Sequence, residues 1–305
     1  MGEAGLYLYG ITGAVAVEAV GDGPAEQGRT AAAPVAAVDA VAESRAVAEG
    51  ELAGSPAVAE DAAAPPEFGS VSLGLIGLGD PPAEVRLLPL GGLAAVVSRA
   101  PGVPVVPKMA FLLAHDRVLT SLVRRYTVLP AAFGTVVPGA AALRAFVDRY
   151  RGPLLAEIRR LRGQVEAEVK ALWVPGAVAR EAGVGPADLR AAGSAPPSRR
   201  FELAVEVGQA VEATVHAWRQ RYGPEICRRL APYCVAYRVN QPLSVEVLLN
   251  AAFLVRRERE PELARAVAAL AKSHAGRLEL RYVAPLPPYN FVEIRLPWRR
   301  QQRGG

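Results

Sequence analysis

Val245-Glu-Val-Leu-Leu-Asn-Ala-Ala-Phe-Leu-Val255 is apolar at every position but Glu246 and Asn250. Its β-branched and aromatic content suits a pleated surface. Its length of near-continuous apolarity predicts a central strand, covered on more than one side. Working outward, Tyr233–Val239 reads as a strand before it. Pro261–Ser273 reads as an amphipathic helix after it, and Arg277–Val283 as a last strand. Upstream, Val165–Trp173 alternates as a strand, and Pro175–Ser198 reads as a loop rich in Gly, Ala and Pro. A long helix follows over Phe201–Leu230, with Phe201, Val205, Gly208, Val211, Val215, Trp218 and Tyr222 as its buried stripe. Gly223-Pro224 is a place where that helix could be interrupted.

The order is β-α-β-β-α-β, the split βαβ or ferredoxin-like arrangement. At 305 residues the chain is long for one domain. The expectation is an α+β protein of two domains: residues 1–163, then a modified ferredoxin-like domain over 164–296, then a basic tail, 297–305. In the first half Leu6-Tyr-Leu-Tyr-Gly-Ile11, Val85–Leu90 and Leu93–Ser98 read as strands. A connector with Pro101, Pro104 and Pro107 leads to a helix, Lys108–Arg124, whose inner positions are Leu112, His115, Leu119 and Leu122. Tyr126–Pro130 and Thr135–Val137 are short extended pieces. A second helix, Ala140–Arg162, turns Leu143, Val147, Leu154, Ile158 and Leu161 inward, with Gly152-Pro153 as a kink.

Charge is unevenly spread. Glu18–Glu67 holds ten acidic residues against Arg29 and Arg45, a local −8 that leaves +13 on the rest of a chain whose total is +5. From Ala31 to Pro66, fifteen of 36 residues are alanine, and no aromatic residue occurs between Tyr9 and Phe68. So little large apolar surface cannot offset the entropy of ordering, so 18–67 is expected to be a disordered insertion. A basic body admits an acidic partner, a nucleic acid or a membrane surface. With three lysines against 32 arginines, it reads as arginine spread over ordinary solvated faces. No apolar stretch approaches the roughly 20 residues of a membrane span. The N-terminus lacks the features of a secretory signal, and the expected location is cytoplasmic.

No catalytic, cofactor or metal site is expected. Gly74-Leu-Ile-Gly77-Leu-Gly79 would need a third glycine where Pro82 stands, and Asp80-Pro81-Pro82 is a poor start for a phosphate-binding helix. A flexible turn is expected there instead. His115, His216 and His274 are isolated, and the spacing of Cys227 and Cys234 is too wide for a zinc knuckle. Glu166 and Glu168 share one strand face, which reads as solvated. A nucleic-acid-binding module is the alternative class, but its central strands would carry aromatic and basic residues, whereas Val247–Val255 is apolar.

Three stretches together carry a resemblance. They are Leu6-Tyr-Leu-Tyr-Gly-Ile11; His115-Asp-Arg-Val-Leu119 with Val128-Leu-Pro130 and Phe133-Gly-Thr-Val136; and Leu249-Asn-Ala-Ala-Phe-Leu-Val255 with Pro285-Leu-Pro-Pro-Tyr-Asn-Phe-Val292. In this order they resemble the gas vesicle GvpF/GvpL family. Ala284 and Leu286 depart from that family's usual Gly and Trp, and Ser244 from a common acidic residue. The resemblance implies a soluble, non-enzymatic protein without cofactor. Its partners would be the hydrophobic shell subunit GvpA and other gas vesicle accessory proteins, not nucleic acid or membrane, and its place the gas-facing side of the shell. Pro287, Pro288, Tyr289, Asn290 and Phe291 are the candidate partner-contact segment, because prolines preorganise an extended surface with two aromatic anchors. Plain packing of the same two aromatics at a domain boundary is the competing reading.

Overall fold

β1 (Leu6–Gly13) is the strand around which the first sheet is built. The structure is a computed structural model that describes residues 5–13 and 71–294, apart from 186–189, 191, 192, 195 and 243. The expected disordered insertion and basic tail lie outside those residues. β1 pairs antiparallel with β4 (Leu93–Arg99) on one side, and with β5 (Val128–Pro130) and β6 (Val136–Val137) on the other. Beyond β4 come β3 (Pro82–Pro89) and β2 (Val71–Gly79), giving the order β2-β3-β4-β1-β5. At Gly10 β5 lies close against β1: a Cβ there would lie 2.6 Å from the Leu129 carbonyl oxygen.

The Gly74–Gly79 stretch is not the expected turn. It is most of β2, paired with β3 through two register irregularities. Gly77 is required because a Cβ would meet the Tyr9 hydroxyl at 2.1 Å. Gly77 therefore accommodates a buried tyrosine from β1, a long-range reason that local sequence does not contain.

α1 (Met109–Val123) packs on β2 and β1, burying His115, Val118, Leu119, Leu122 and Val123. Leu112, expected inside, is 39% exposed. Phe111 and Ala114 take the inner places one turn before the main face and pack on the core instead. α2 (Ala140–Arg160) buries Leu143, Val147, Leu154 and Ile158, as its spacing predicts. Its kink falls at Tyr150 (φ −108, ψ 17). That is the turn before Pro153, whose ring and missing N–H disturb the preceding helical bonds.

The second sheet has the order β10-β7-β9-β8, from β7 (Gln164–Trp173), β8 (Ala236–Asn240), β9 (Val247–Arg256) and β10 (Leu278–Leu286). β8 and β9 pair antiparallel. The end of β7 bonds to the starts of β9 and β10 (Trp173 N–H to Glu246 O, 3.1 Å; Val174 N–H to Arg277 O, 2.9 Å), so these also run in opposite directions. β9 is buried at every position but Arg256, as a strand flanked on both edges and covered by helices must be. α4 (Pro197–Leu230) and α5 (Glu260–Ser273) pack on it.

Two details differ from expectation here. Pro175–Ser198 is not all loop: α3 (Pro175–Glu181) lies within it, and α4 begins at Pro197 and runs through Gly223-Pro224 without a break. The stripe of α4 is buried only from Val215 onward, through Trp218, Tyr222, Ile226 and Leu230, while Phe201 is 73% exposed and Val205 41%. A 34-residue helix is about 51 Å long and the ten-residue β9 about 33 Å, so the helix outruns the sheet.

The chain divides into two compact units. Among the described residues, one holds everything up to Glu166 together with the stretch from Pro285, and the other is Ala167–Ala284. Gly77→Ala is expected to cost about 1–3 kcal/mol, because the Tyr9 hydroxyl must leave its two partners. Urea unfolding of Gly77→Ala, Tyr9→Phe and the double variant checks this; the two costs should not add.

Candidate functional site

The Pro287–Phe291 segment is a tight turn held from behind. Tyr289 N–H donates to the Pro287 carbonyl (2.7 Å), and Phe291 and Val292 N–H both donate to Pro288 O (3.1 Å each). Glu166, at the start of β7, is 3% exposed. Its two carboxylate oxygens accept from Asn290 N–H (2.8 Å) and Asn290 Nδ2 (2.6 Å). It is thus a buried clamp and not part of a solvated face. Its neighbour Glu168 pairs instead with Lys170 at 3.0 Å. A second clamp comes from α2: Arg160 binds Glu157 through two nitrogens (2.8 and 2.7 Å) and donates to the Phe291 carbonyl, while Glu157 also accepts from Glu293 N–H at 2.7 Å. Chiefly the Arg160 hydrogen bond holds the Glu157 carboxyl below its usual range.

These clamps sort the five candidate residues. Pro287, Pro288 and Phe291 are buried, and Asn290 is half-buried and spent on Glu166. Only Tyr289 offers a face, at 43% exposure. Burial of its hydroxyl end, then the carboxylates of Asp116 and Glu166, push its pKa up. Asp116 belongs to α1, where Met109, Leu112 and Asp116 follow at three- and four-residue spacing.

Beneath lies a buried polar cluster. Tyr7 and Tyr9 of β1 are fully buried, and His115 of α1 is 6% exposed. The Tyr7 hydroxyl bonds His115 Nδ1 at 2.9 Å and accepts from Gly134 N–H at 3.2 Å. A backbone hydrogen bond at Ala131 works against burial, but burial is the larger effect and keeps the imidazole neutral. Tyr9 stacks on the same ring (5.6 Å between centroids, 22°), accepts from Leu78 N–H (2.9 Å) and meets Ser98 Oγ at 3.1 Å. Burial pushes the Tyr7 hydroxyl up and the His115 ring down to about 4. Every polar atom here is committed to another, which suits a structural core and leaves nothing to act on a substrate.

Elsewhere the histidines stand singly, while the Cys227 thiol feels that of Cys234. His216 is exposed, His274 caps α5 at 3.8 Å from Glu225, and burial pushes both free cysteine thiols up. Among the described residues no group of three or more His, Cys, Asp or Glu is placed to hold a metal ion. None of the described helices is long and apolar enough to cross a membrane. An open cavity of about 280 Å³ lies among Ala177, Arg180, Glu181, Trp218 and Arg277, without a nucleophile–base pair. Sequence reasoning missed the exposed apolar side chains of the connector and α1: Val103 (58%), Val106 (59%) and Met109 (63%). The Pro-Val-Val-Pro-Lys-Met run was a visible signal, since a proline-rich connector rarely carries so many large apolar residues without burying them.

Comparison with known proteins aligns the whole described chain with one family. The family model for gas vesicle synthesis protein GvpL/GvpF matches residues 5–293. Gas vesicle protein F of Streptomyces sp. (strain CB03234) is 34% identical over 220 residues, covering 71% of this chain and 91% of that protein. Gas vesicle protein F of Dolichospermum flosaquae is 24% identical over 60% of this chain and 77% of its own length. The fold is similar to two crystal structures of GvpF. That from Anabaena sp. PCC7120 has a TM-score of 0.62 at 21% identity, covering 96% of this chain and 99% of the other. That from Microcystis aeruginosa has a TM-score of 0.61 at 21% identity, covering 95% and 100%.

Two outcomes are expected from the geometry. Phe291→Ala should cost about 3–5 kcal/mol of stability, whereas Tyr289→Ala should leave the unfolding midpoint nearly unchanged; chemical denaturation separates them. His115 is neutral when folded, and its pKa is near 4 against 6.5 unfolded. Stability is therefore full above pH 6.5 and is lost as pH falls towards 4, by about 3 kcal/mol in all. A titration of the unfolding free energy over that window, flattened in His115→Gln, checks it.

Proposed function

The chain belongs to the gas vesicle GvpL/GvpF family, and from that premise we propose that it is an assembly factor or minor structural component of the gas vesicle. In this reading it binds the hydrophobic shell subunit GvpA, shields it from aggregation and supports formation of the wall, together with other accessory proteins. It works by covering surface and not by catalysis, and its place is the gas-facing side of the shell. The single observation that carries the reading is the family match over residues 5–293. Physics supports the mode: a subunit with exposed apolar surface aggregates until it is covered. We read the second unit, with its order β10-β7-β9-β8, as the ferredoxin-like arrangement. The nucleic-acid alternative has little support, because the central strand β9 is buried along its length and offers no aromatic platform for bases.

Co-expression with the shell subunit tests the proposal. The expected outcome is a soluble complex that co-purifies, with the subunit insoluble when this chain is left out. A subunit that stays equally insoluble in its presence, and no capture of any gas vesicle protein, would contradict it.

A further inference from the structure

β8 (Ala236–Asn240) is the last strand of the second sheet, and among the described residues no strand lies on its outer side. Every residue from Val235 to Val239 is exposed, whereas β9 beside it is buried at every position but Arg256. An open edge carries unpaired backbone groups and is a template for another strand. Side chains alternate along a strand, so Val235, Tyr237 and Val239 share one face, at 55%, 44% and 60% exposure. Tyr237 is held in place by stacking on Phe253, its partner in β9 (5.8 Å between centroids, 29°).

The outward backbone groups can be assigned. The Leu254 carbonyl faces β8, because it accepts from Val235 N–H at 2.7 Å. Leu254 is in register with Ala236, Ala252 with Arg238 and Asn250 with Asn240. Hydrogen-bonded pairs alternate with non-bonded ones along an antiparallel ladder. Ala236, Arg238 and Asn240 are therefore the residues bonded to β9. The N–H and C=O of one trans peptide point opposite ways. Tyr237 and Val239 thus turn their N–H outward, and Val235 and Tyr237 their C=O.

This edge is its own complement. A second copy related by a two-fold axis pairs antiparallel, and the axis passes through a residue, because a one-residue slip would bring unlike faces together. An axis at Arg238 would set Arg238 directly against the partner's Arg238, a destabilising like-charge pair. An axis at Ala236 would satisfy fewer groups, since Val235 N–H is already bonded to Leu254. An axis at Tyr237 lets the two Tyr237 residues exchange both backbone bonds, while each Val239 N–H meets the other copy's Val235 carbonyl. Tyr237 then lies against Tyr237, Val239 against Val235 and Arg238 against Ala236, with no like charges directly opposed.

We propose that a second copy of this chain docks on β8, pairing β8 with β8 about an axis at Tyr237 and joining two four-stranded sheets into one. This does not rest on the gas vesicle reading. So short a pairing places the dimer at the weak, concentration-dependent end of the range of interfaces.

The test is sedimentation equilibrium of the full chain over a rising concentration series, where a reversible monomer–dimer equilibrium is expected. Val239→Pro removes an outward N–H that β9 does not use. It should leave the unfolding midpoint unchanged and weaken the dimer by about tenfold, the loss of two interface hydrogen bonds. Val239→Lys, which charges the edge and keeps the backbone intact, repeats the measurement should the proline variant unfold. Ala236→Glu sets a carboxylate against the partner's Arg238, twice by symmetry. It should tighten the dimer by about threefold at low salt, with the gain gone at high salt. A chain that stays monomeric throughout the series overturns the proposal, as does a dimer that neither Val239 variant weakens. An unchanged or weaker dimer in Ala236→Glu overturns the register on which it stands. Co-expression with the shell subunit covers the other occupant: a complex lost in Val239→Pro, from a chain that is monomeric alone, assigns β8 to that subunit and overturns the second copy.

Discussion

The hydrogen bond between the buried Tyr7 hydroxyl and His115 ties the central strand of the first sheet to the helix that lies across it. Much else is arranged around that bond. Gly77 is a glycine because Tyr9, two residues on, fills the space above β2. The Phe133-Gly134 turn is placed by Gly134 N–H on the same tyrosine, and by Phe133 edge-on to both rings. Burying a neutral imidazole and two hydroxyls is tolerable only because each finds a partner. A change at any member therefore strands the others. The outer face of α1 inherits its position from this inner one.

The Pro-rich turn shows the same logic with charges. Glu166 and Glu157 are both largely buried carboxylates, and both are satisfied by the backbone or side chains of 290–293 and by Arg160. A carboxylate in such a place is costly unless it is hydrogen-bonded, so the turn and the clamps stabilise each other. The turn is fixed by packing, and one face of one residue, Tyr289, remains for recognition. Phe291 is spent on packing, and the partner contact proposed for this segment would fall to the exposed face of Tyr289.

Much of the fold was legible because it rests on local periodicity. The near-continuous apolarity of Val247–Val255 belongs to a strand buried on all sides, and the spacing of Leu143, Val147, Leu154 and Ile158 defines the inner face of α2. What was not legible depends on partners distant in sequence. Gly74–Gly79 reads as a turn until Tyr9 explains the missing side chain of Gly77, and Glu166 reads as solvated until Asn290 reaches it. Phe201 and Val205 continue a perfect stripe, but the sheet beneath that stripe ends first. The five-residue candidate segment was visible as a motif. The exposed apolar side chains of the connector and α1 were not, because a sequence pattern shows apolar spacing without showing which positions the core leaves uncovered.

The most direct measurement is photo-crosslinking in cells that build gas vesicles, with benzophenone-alanine placed at Tyr289, the exposed residue of the clamped turn. The account predicts crosslinks from this position to a gas vesicle protein. Crosslinks only to proteins outside the gas vesicle would contradict it.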